Sequence, residues 1–255
     1  MFARRRKTEI LLISEPEKKT FIQYHDTPES RFHVLPPGID LDRIRPPNAG
    51  AIRDDVRREC QLTDEHHMVL SVGSNYKKKG VGRSLIALAS LPRDVRANTF
   101  LFAIGKDKPD SWLRLAKRLG LSRQVRFLGL REDVPRFLLA ADLFLHPAYR
   151  ENTGTVLLEA LVAGLPVLAT EACGHASHIE RSGAGLLVPS PYRQEVLNER
   201  LSTMLTMLTS DQRGHWRQRA LDYTREADVF SLVERAAENI EAIVKRRPPG
   251  NGANS

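Results

Sequence analysis

From Met68 onward, short apolar runs alternate with longer amphipathic stretches. The runs are Met68–Val72, Phe100–Ile104, Val125–Leu128, Leu143–His146, Val167–Thr170 and Gly185–Val188. Each is too short for a core helix and is followed by a loop rich in Gly, Pro or Asp, so the pattern predicts buried strands. Between them, Ser84–Ala89 is apolar on one face, and Trp112, Leu113, Leu115, Ala116 and Leu119 recur at helical spacing before Gly120. Strand–helix alternation over this length predicts a parallel sheet with helices on both faces, an α/β, Rossmann-like domain.

The flanks read differently. Thr8–Ser14 predicts a strand, Pro16–Tyr24 a helix and Phe32–Leu35 a second strand, after which Pro36-Pro37-Gly38 can continue neither element. A β-α-β fragment cannot cover both faces of its own sheet, so residues 1–36 are expected to be the end of a further domain preceding Met1. Past Val188 the pattern turns helical over Gln194–Thr209, Asp211–Arg225 and Leu232–Val244. The polar, Pro/Gly-rich stretch Pro248–Ser255 is expected to be a disordered tail.

Composition narrows the class. The 255 residues are 41% hydrophobic and 27% charged, enough for one large core or two small ones. Cys60 and Cys173 lie far apart, which fits a reducing compartment better than a disulfide framework. No apolar run approaches the roughly 20 residues of a membrane helix, and Ile10–Ile13 after the basic start is too short for a signal peptide. A cytoplasmic protein is expected. The net charge of +8 is uneven: residues 101–150 hold ten Lys/Arg against five Asp/Glu, and 151–200 hold three against six. A basic half of this kind suits nucleotide phosphates, nucleic acid or an acidic membrane surface. No nucleic-acid motif accompanies it, and acidic residues separate the basic clusters, so no specific nucleic-acid partner is expected.

The strongest chemical signal is Tyr149-Arg150-Glu151-Asn152-Thr153-Gly154-Thr155-Val156-Leu157-Leu158-Glu159-Ala160. It follows a predicted strand, passes a polar turn and enters an apolar helix. In an open α/β sheet, ligands bind beyond the carboxyl ends of the strands, and free amides at Gly154, Thr155 and Val156 would point at an anion there. If Glu151 and Glu159 were both helical they would sit about 12 Å apart along the axis, beyond the roughly 5–9.5 Å of a hydrolytic carboxylate pair. They are suited to gripping two ends of one extended ligand. The bland alternative is a helix N-terminal charge plus a solvated glutamate.

A second signal is Val72-Gly73-Ser74-Asn75-Tyr76-Lys77-Lys78-Lys79-Gly80. Three lysines at a strand's carboxyl end suit a diphosphate, although a bare lysine run is more often a solvated loop, and the Walker pattern is absent. Cys173, His175 and His178 could be metal ligands, but no fourth ligand stands at a usual zinc spacing. A Cys173–His175 nucleophile pair is equally weak beside a pocket-lining loop. His66 and His67 read as solvated loop, and Trp112 and Trp216 as packing residues.

Taken together, the two segments resemble the carboxyl-terminal half of the family 4 retaining glycosyltransferases, which have the two-domain GT-B fold. The resemblance runs from about Thr8 to Val244. Beyond the segments above it includes Leu35-Pro36-Pro37-Gly38-Ile39, Ala87-Leu88-Ala89-Ser90-Leu91-Pro92, Gly105-Lys106-Asp107-Lys108-Pro109, Ala140–Tyr149 and Ala163-Gly164-Leu165-Pro166-Val167-Leu168. It is nearest to the family's glucosyltransferases of lipopolysaccharide core synthesis. It implies a remnant acceptor domain at 1–36, a donor-binding domain at 37–227, a crossing helix at 228–247 and a tail at 248–255.

By the resemblance, Lys79, with Lys78 where the family often has Arg, holds the donor diphosphate. Glu151 contacts the donor sugar, with Gly73, Ser74 and Asn152 around it. Amides near Gly154, Thr155 and Val156 bind the distal phosphate, Glu159 binds the ribose, and backbone at Gly129, Leu130 and Arg131 receives the base. No metal or cofactor is implied. The implied donor is UDP-glucose and the implied acceptor an inner-core heptose of lipopolysaccharide. Retention would come from acceptor attack on the leaving-group face, a donor phosphate oxygen taking the proton. Partners would be a separate amino-terminal acceptor domain and the inner face of the inner membrane. The family's Gly-rich amino-terminal donor loop does not precede Pro37, and Cys173–His178 departs from close relatives at His175 and Ser177. Three readings stand: a glycosyltransferase donor half, a non-catalytic nucleotide-sugar-binding module, and a basic adaptor for nucleic acid or membrane.

Overall fold

The computed structural model describes residues 8–208 and 210–246. The chain forms two compact units that part between 40 and 41 and between 227 and 228. The expected tail at 248–255 lies outside the described residues, as does Thr209 at the predicted end of a helix.

The smaller unit begins with β1 (Ile10–Leu12), α1 (Glu15–His25) and β2 (Phe32–Val34). β1 and β2 pair in parallel with Ile10 opposite Phe32 and Leu12 opposite Val34. Ile10, Leu12 and Phe32 form a small core on which Phe21 and Ile22 of α1 pack. The chain's last helix belongs to this unit. Ile39 donates a backbone hydrogen bond to Val229 at 2.9 Å, and Gly38 lies so close to Leu232 that a Cβ would approach its side chain to 2.8 Å.

The larger unit opens with α2 (Ala49–Glu59). It continues through β3 (His67–Val72), α3 (Val81–Ala89), α4 (Arg93–Ala97), β4 (Thr99–Ile104), α5 (Asp110–Arg118), β5 (Val125–Gly129), α6 (Val134–Ala140) and β6 (Leu143–His146). It closes with α7 (Thr155–Val162), β7 (Val167–Thr170), α8 (Ala176–Ser182), β8 (Gly185–Val188), α9 (Gln194–Thr206) and α10 (Ser210–Glu226). The terminal helix of the other unit is α11 (Leu232–Arg246).

The six strands β3–β8 form one parallel sheet in the order β5-β4-β3-β6-β7-β8. Every predicted apolar run from Met68 to Val188 is one of these strands. β6 and β7 are buried along their whole length because helices cover both faces. Alternate residues Val69, Leu101, Leu145 and Leu168 meet Leu85 and Leu88 of α3 and Leu197, Leu201 and Met204 of α9 in one core. On the opposite layer α6 packs on α2, and α7 on α8 and α10. Trp216 is buried and Trp112 packs against the same core, as their helical spacing predicts. No helix among the described residues is long and apolar enough to cross a membrane.

Four helices depart from the sequence reading. α2, α4, α6 and α8 were unforeseen, and α8 includes the stretch around His178 that reads as a loop. His66-His67 is a further correction. His67 begins β3, and its Nδ1 is buried without a hydrogen-bond partner. Burial pushes its imidazole below the usual histidine range.

The amino ends of the two central strands are joined through Asp142, which is 1% exposed. Its carboxylate accepts the Met68 amide at 2.7 Å and pairs with Arg53 at 2.6 Å, Arg57 at 3.1 Å and Arg213 at 3.2 Å. α2 therefore docks through arginines on one buried charge. Burial alone would raise the Asp142 carboxyl, but Arg53, Arg213, Arg57 and the Met68 amide hold it below the usual carboxylate range. Stability from a depressed carboxyl is present above its unfolded pKa and is lost as pH falls. Asp142→Ala is expected to cost about 3–5 kcal/mol by stranding buried cations. Urea unfolding at neutral pH measures this, and a loss below about 1 kcal/mol would refute it.

Candidate functional site

Strand order reverses between β3 and β6, so the loops leaving their carboxyl ends flank one crevice. From β3 comes 73–80. Tyr76 in this loop is buried, donates to the Gly105 carbonyl at 3.0 Å and packs on Phe127. Asn75, at φ +65°, donates its amide to Asp107 at 2.6 Å and accepts the Lys78 amide on its side-chain oxygen at 3.0 Å. Ser74 accepts the Lys106 amide at 3.3 Å. This web turns Lys79 inward, its stem lying over Gly73, where a Cβ would approach within 2.8 Å. Lys77 and Lys78 stay exposed.

From β6 comes 147–154, pinned against the first loop. Gly80 has φ +78°, and a Cβ there would lie 2.0 Å from the Pro147 carbonyl oxygen, so only glycine allows the loops to meet. Tyr149 donates its amide to the Lys78 carbonyl at 2.9 Å. Arg83 of α3 is held between the rings of Tyr149 and Tyr192, 3.6 and 3.5 Å from their centroids. Its guanidinium also donates to the Pro147 and Ala148 carbonyls at 3.2 and 3.1 Å. Sequence reasoning missed Arg83, because one arginine on an amphipathic helix looks solvated.

These restraints bring Lys79 and Glu151 into a direct ion pair, each about one-sixth exposed or less. Glu151 is not helical. It forms a bridge beside Cys173, donating its amide to Ala172 at 3.0 Å and accepting that of Gly174 at 3.0 Å. The helical spacing considered for the two glutamates therefore does not apply. Only Glu159 is helical, half-buried in the second turn of α7, where it lines a cavity with Asp42, Arg43, Pro135, Leu138 and Ala163.

α7 starts immediately beyond Gly154, its N-cap at φ +74°. The amides of Thr155 and Val156 belong to the first turn, which no helical carbonyl reaches, and they carry the positive end of the helix dipole. Asn152 is exposed on the bend before them. At the carboxyl end of β5, Gly129 has φ +70° and accepts the Gly105 amide at 2.9 Å. Leu130 is 75% exposed, and Arg131 is turned back onto Asp133 at 2.7 Å. Lys79 and Glu151 thus stand beside the first turn of α7, with Glu159 deeper on that helix.

Cys173, His175 and His178 do not converge on a point. The Cys173 thiol meets Thr170 at 3.9 Å, and His178 bonds the Tyr223 hydroxyl at 2.7 Å. Burial pushes the Cys173 thiol up to about 11, so it is not a nucleophile at neutral pH.

The sequence reading gave His146 no role. It ends β6, is wholly buried and stacks on Phe144 at 5.7 Å, and neither ring nitrogen has a hydrogen-bond partner among the described residues. Its Nε2 lies 4.0 Å from the Glu151 carboxylate. Burial, reinforced by Lys79 and opposed by Glu151, pushes its imidazole down to about 4. A histidine kept neutral while the unfolded chain binds a proton loses stability between pH 6.5 and about 4. His146→Phe removes that term. The drop in unfolding free energy from pH 7 to pH 5 should then be about 2 kcal/mol smaller than in the wild type, and an equal drop would show that His146 does not carry it.

Residues 52–222 match the family model "Glycosyl transferases group 1". The chain is 41% identical over 239 residues to the lipopolysaccharide glucosyltransferase WaaG of Escherichia coli K12, covering 94% of this chain and 63% of that protein. It is 34% identical over 186 residues to a D-inositol 3-phosphate glycosyltransferase of a Mycobacterium species, covering 70% and 40%. The crystal structure of WaaG superposes with a TM-score of 0.87 over 94% of this chain and 64% of that one. Anabaena HepE, solved with UDP-glucose, shares the fold with a TM-score of 0.78 at 22% identity, covering 94% of this chain and 65% of that one.

Proposed function

Because this chain belongs to the group 1 glycosyltransferases, we propose that it moves a hexose from a nucleotide-sugar to a lipopolysaccharide core acceptor, with its larger unit holding the donor. The observation that carries the reading is the meeting of Lys79 and Glu151 at the reversal of strand order, beside the first turn of α7. The glucosyl group and the lipopolysaccharide acceptor follow from the relative that is 41% identical. UDP as the nucleotide and an inner-core heptose as the acceptor are the finer parts of the proposal.

The chemistry matches the residues. Transfer breaks the bond between the anomeric carbon and the diphosphate oxygen, so negative charge grows on the departing nucleotide. Lys79 and the amides of Gly154, Thr155 and Val156 are fixed donors for that charge and need no reorganisation as it forms. Glu151 accepts hydrogen bonds from sugar hydroxyls, turning the anomeric carbon toward the acceptor. Glu159 grips the ribose, and the backbone of 129–131 takes the base. The acceptor hydroxyl forms the new bond on the face the diphosphate leaves, its proton passing to a diphosphate oxygen, so configuration is retained. Side-chain cations and amides meet the leaving-group charge, and the reaction is proposed to need no metal. An acceptor-binding amino-terminal domain completes the cleft, and the work is done at the cytoplasmic face of the inner membrane.

Calorimetric titration with UDP-glucose tests the donor half, with ADP-glucose and GDP-mannose as controls. Saturable binding selective for the UDP compound is expected, unchanged by EDTA. Loss of a charge-assisted contact costs about 1.5–3 kcal/mol, so Lys79→Ala and Glu159→Ala should each weaken binding about 10- to 100-fold. Full affinity in both variants would refute the assignment. Transfer to heptose-containing core, with the amino-terminal third of the Escherichia coli relative supplied, tests the rest. Binding without transfer there would make the chain a donor-binding module.

A further inference from the structure

The carboxylate that anchors α2 is outnumbered by cations. Arg53 and Arg57 from α2 and Arg213 from α10 pair with Asp142. Arg217, one turn further along α10, and Arg45, ahead of α2, complete the group. The stem of Arg217 lies over Gly164, where a Cβ would meet it at 2.9 Å, and Arg45 donates to the neighbouring Ala163 carbonyl at 2.7 Å. Among the described residues no other carboxylate forms an ion pair with any of the five.

Backbone carbonyls offset part of the excess. Arg53 donates to Ala140 and Ala141, Arg57 to Thr63 and His66, and Arg213 to Leu208. These are dipoles at helix and strand ends, not countercharges. The Arg217 side chain makes no hydrogen bond among the described residues, and its Nε is buried, as is the unpartnered Nε of Arg213. Burial, together with neighbouring guanidiniums, pushes Arg45 and Arg217 below the usual arginine range. A half-buried guanidinium with no partner, facing others of its kind, is a costly arrangement that a multivalent anion would relieve.

We propose that Arg45, Arg213 and Arg217 form a second anion site at the amino edge of the sheet, taking a small soluble phosphate such as a phosphate monoester or diphosphate. Guanidinium forks match phosphate oxygens in pairs, and the phosphate charge balances the excess. The arginines are recessed, with Arg213 only 23% exposed at its side chain, so a free solute reaches them where a flat bilayer would not. The site lies at the opposite ends of the strands from Lys79 and Glu151 and does not depend on the donor assignment.

Thermal unfolding of the full chain tests it in chloride, inorganic phosphate, inorganic diphosphate and glucose 1-phosphate at matched ionic strength. A ligand of the folded state raises Tm with concentration. Inorganic phosphate should raise Tm equally in the wild type and in Lys79→Ala, whereas diphosphate, which the donor crevice also takes, should keep only part of its rise in Lys79→Ala. Arg217→Gln and Arg45→Gln should weaken that response at least tenfold. In chloride, Arg217→Gln should unfold no lower than the wild type, because the guanidinium it removes makes no hydrogen bond or ion pair among the described residues and is repelled by Arg53 and Arg213. The proposal is overturned if phosphate raises Tm no more than chloride, if Lys79→Ala abolishes the rise, or if Arg217→Gln keeps it. Stabilisation by phosphatidic acid vesicles but not by soluble phosphates would overturn it in favour of a lipid headgroup.

Discussion

Parallel strands joined by right-handed crossovers place their helices on one face while the sheet grows in one direction, and on the other face when growth reverses. In this protein the reversal falls between β3 and β6, and most of the larger unit follows from it. α3 and α9 cover one face, while α6, α7 and α8 cover the other. The two loops leaving β3 and β6 have no helix between them, so they face each other directly. The glycine at 80 and the carbonyl of Pro147 then decide how closely they approach, and the Lys79–Glu151 pair is the product of that approach.

The same pair of strands is charged at both ends. Asp142 precedes β6 and Glu151 follows it by a few residues, and each is met by cations from sequence-distant elements. The environments differ in kind. Asp142 is sealed, and Arg53 and Arg57 are committed to backbone carbonyls as well as to it. Glu151 and Lys79 are partly open and lie beside unpaired helix amides. A sealed network holds position, whereas an open one can exchange its partner for a ligand at lower desolvation cost. His146 sits beneath the open pair as a neutral ring, so the acid and base above it have no third charge to share at working pH.

Much of this was legible in the sequence, and the exceptions share a cause. All six strands of the large sheet followed from short apolar runs, because a strand buried on both faces has few polar positions to disguise it. The loop residues Lys79, Glu151 and Gly154 followed from their place after such strands. α2 was missed because Ala49–Glu59 is dense in Arg, Asp and Glu and reads as solvated, whereas two of its arginines point inward to a charge 80 or more residues away. α8 begins after Gly174 and His175, types that signal a loop. Glu151 was weighed as helical because local spacing cannot show that its backbone pairs instead with Cys173. In each case the deciding interaction lies far away in sequence, where no local pattern records it.

The two cysteines are placed so that each could time the opening of a different part of the larger unit. Cys173 is buried beside the backbone that carries Glu151, and Cys60 is buried at the end of α2, where its carbonyl accepts the Arg126 guanidinium. Burial raises both thiols, so neither offers appreciable thiolate to solvent while its surroundings are closed. Alkylation at either sulfur must therefore wait for a local opening, and its rate counts those openings. The chain carries its own pair of clocks, one set at the crevice and one at the end of α2. A bound nucleotide-sugar would slow the first and leave the second running.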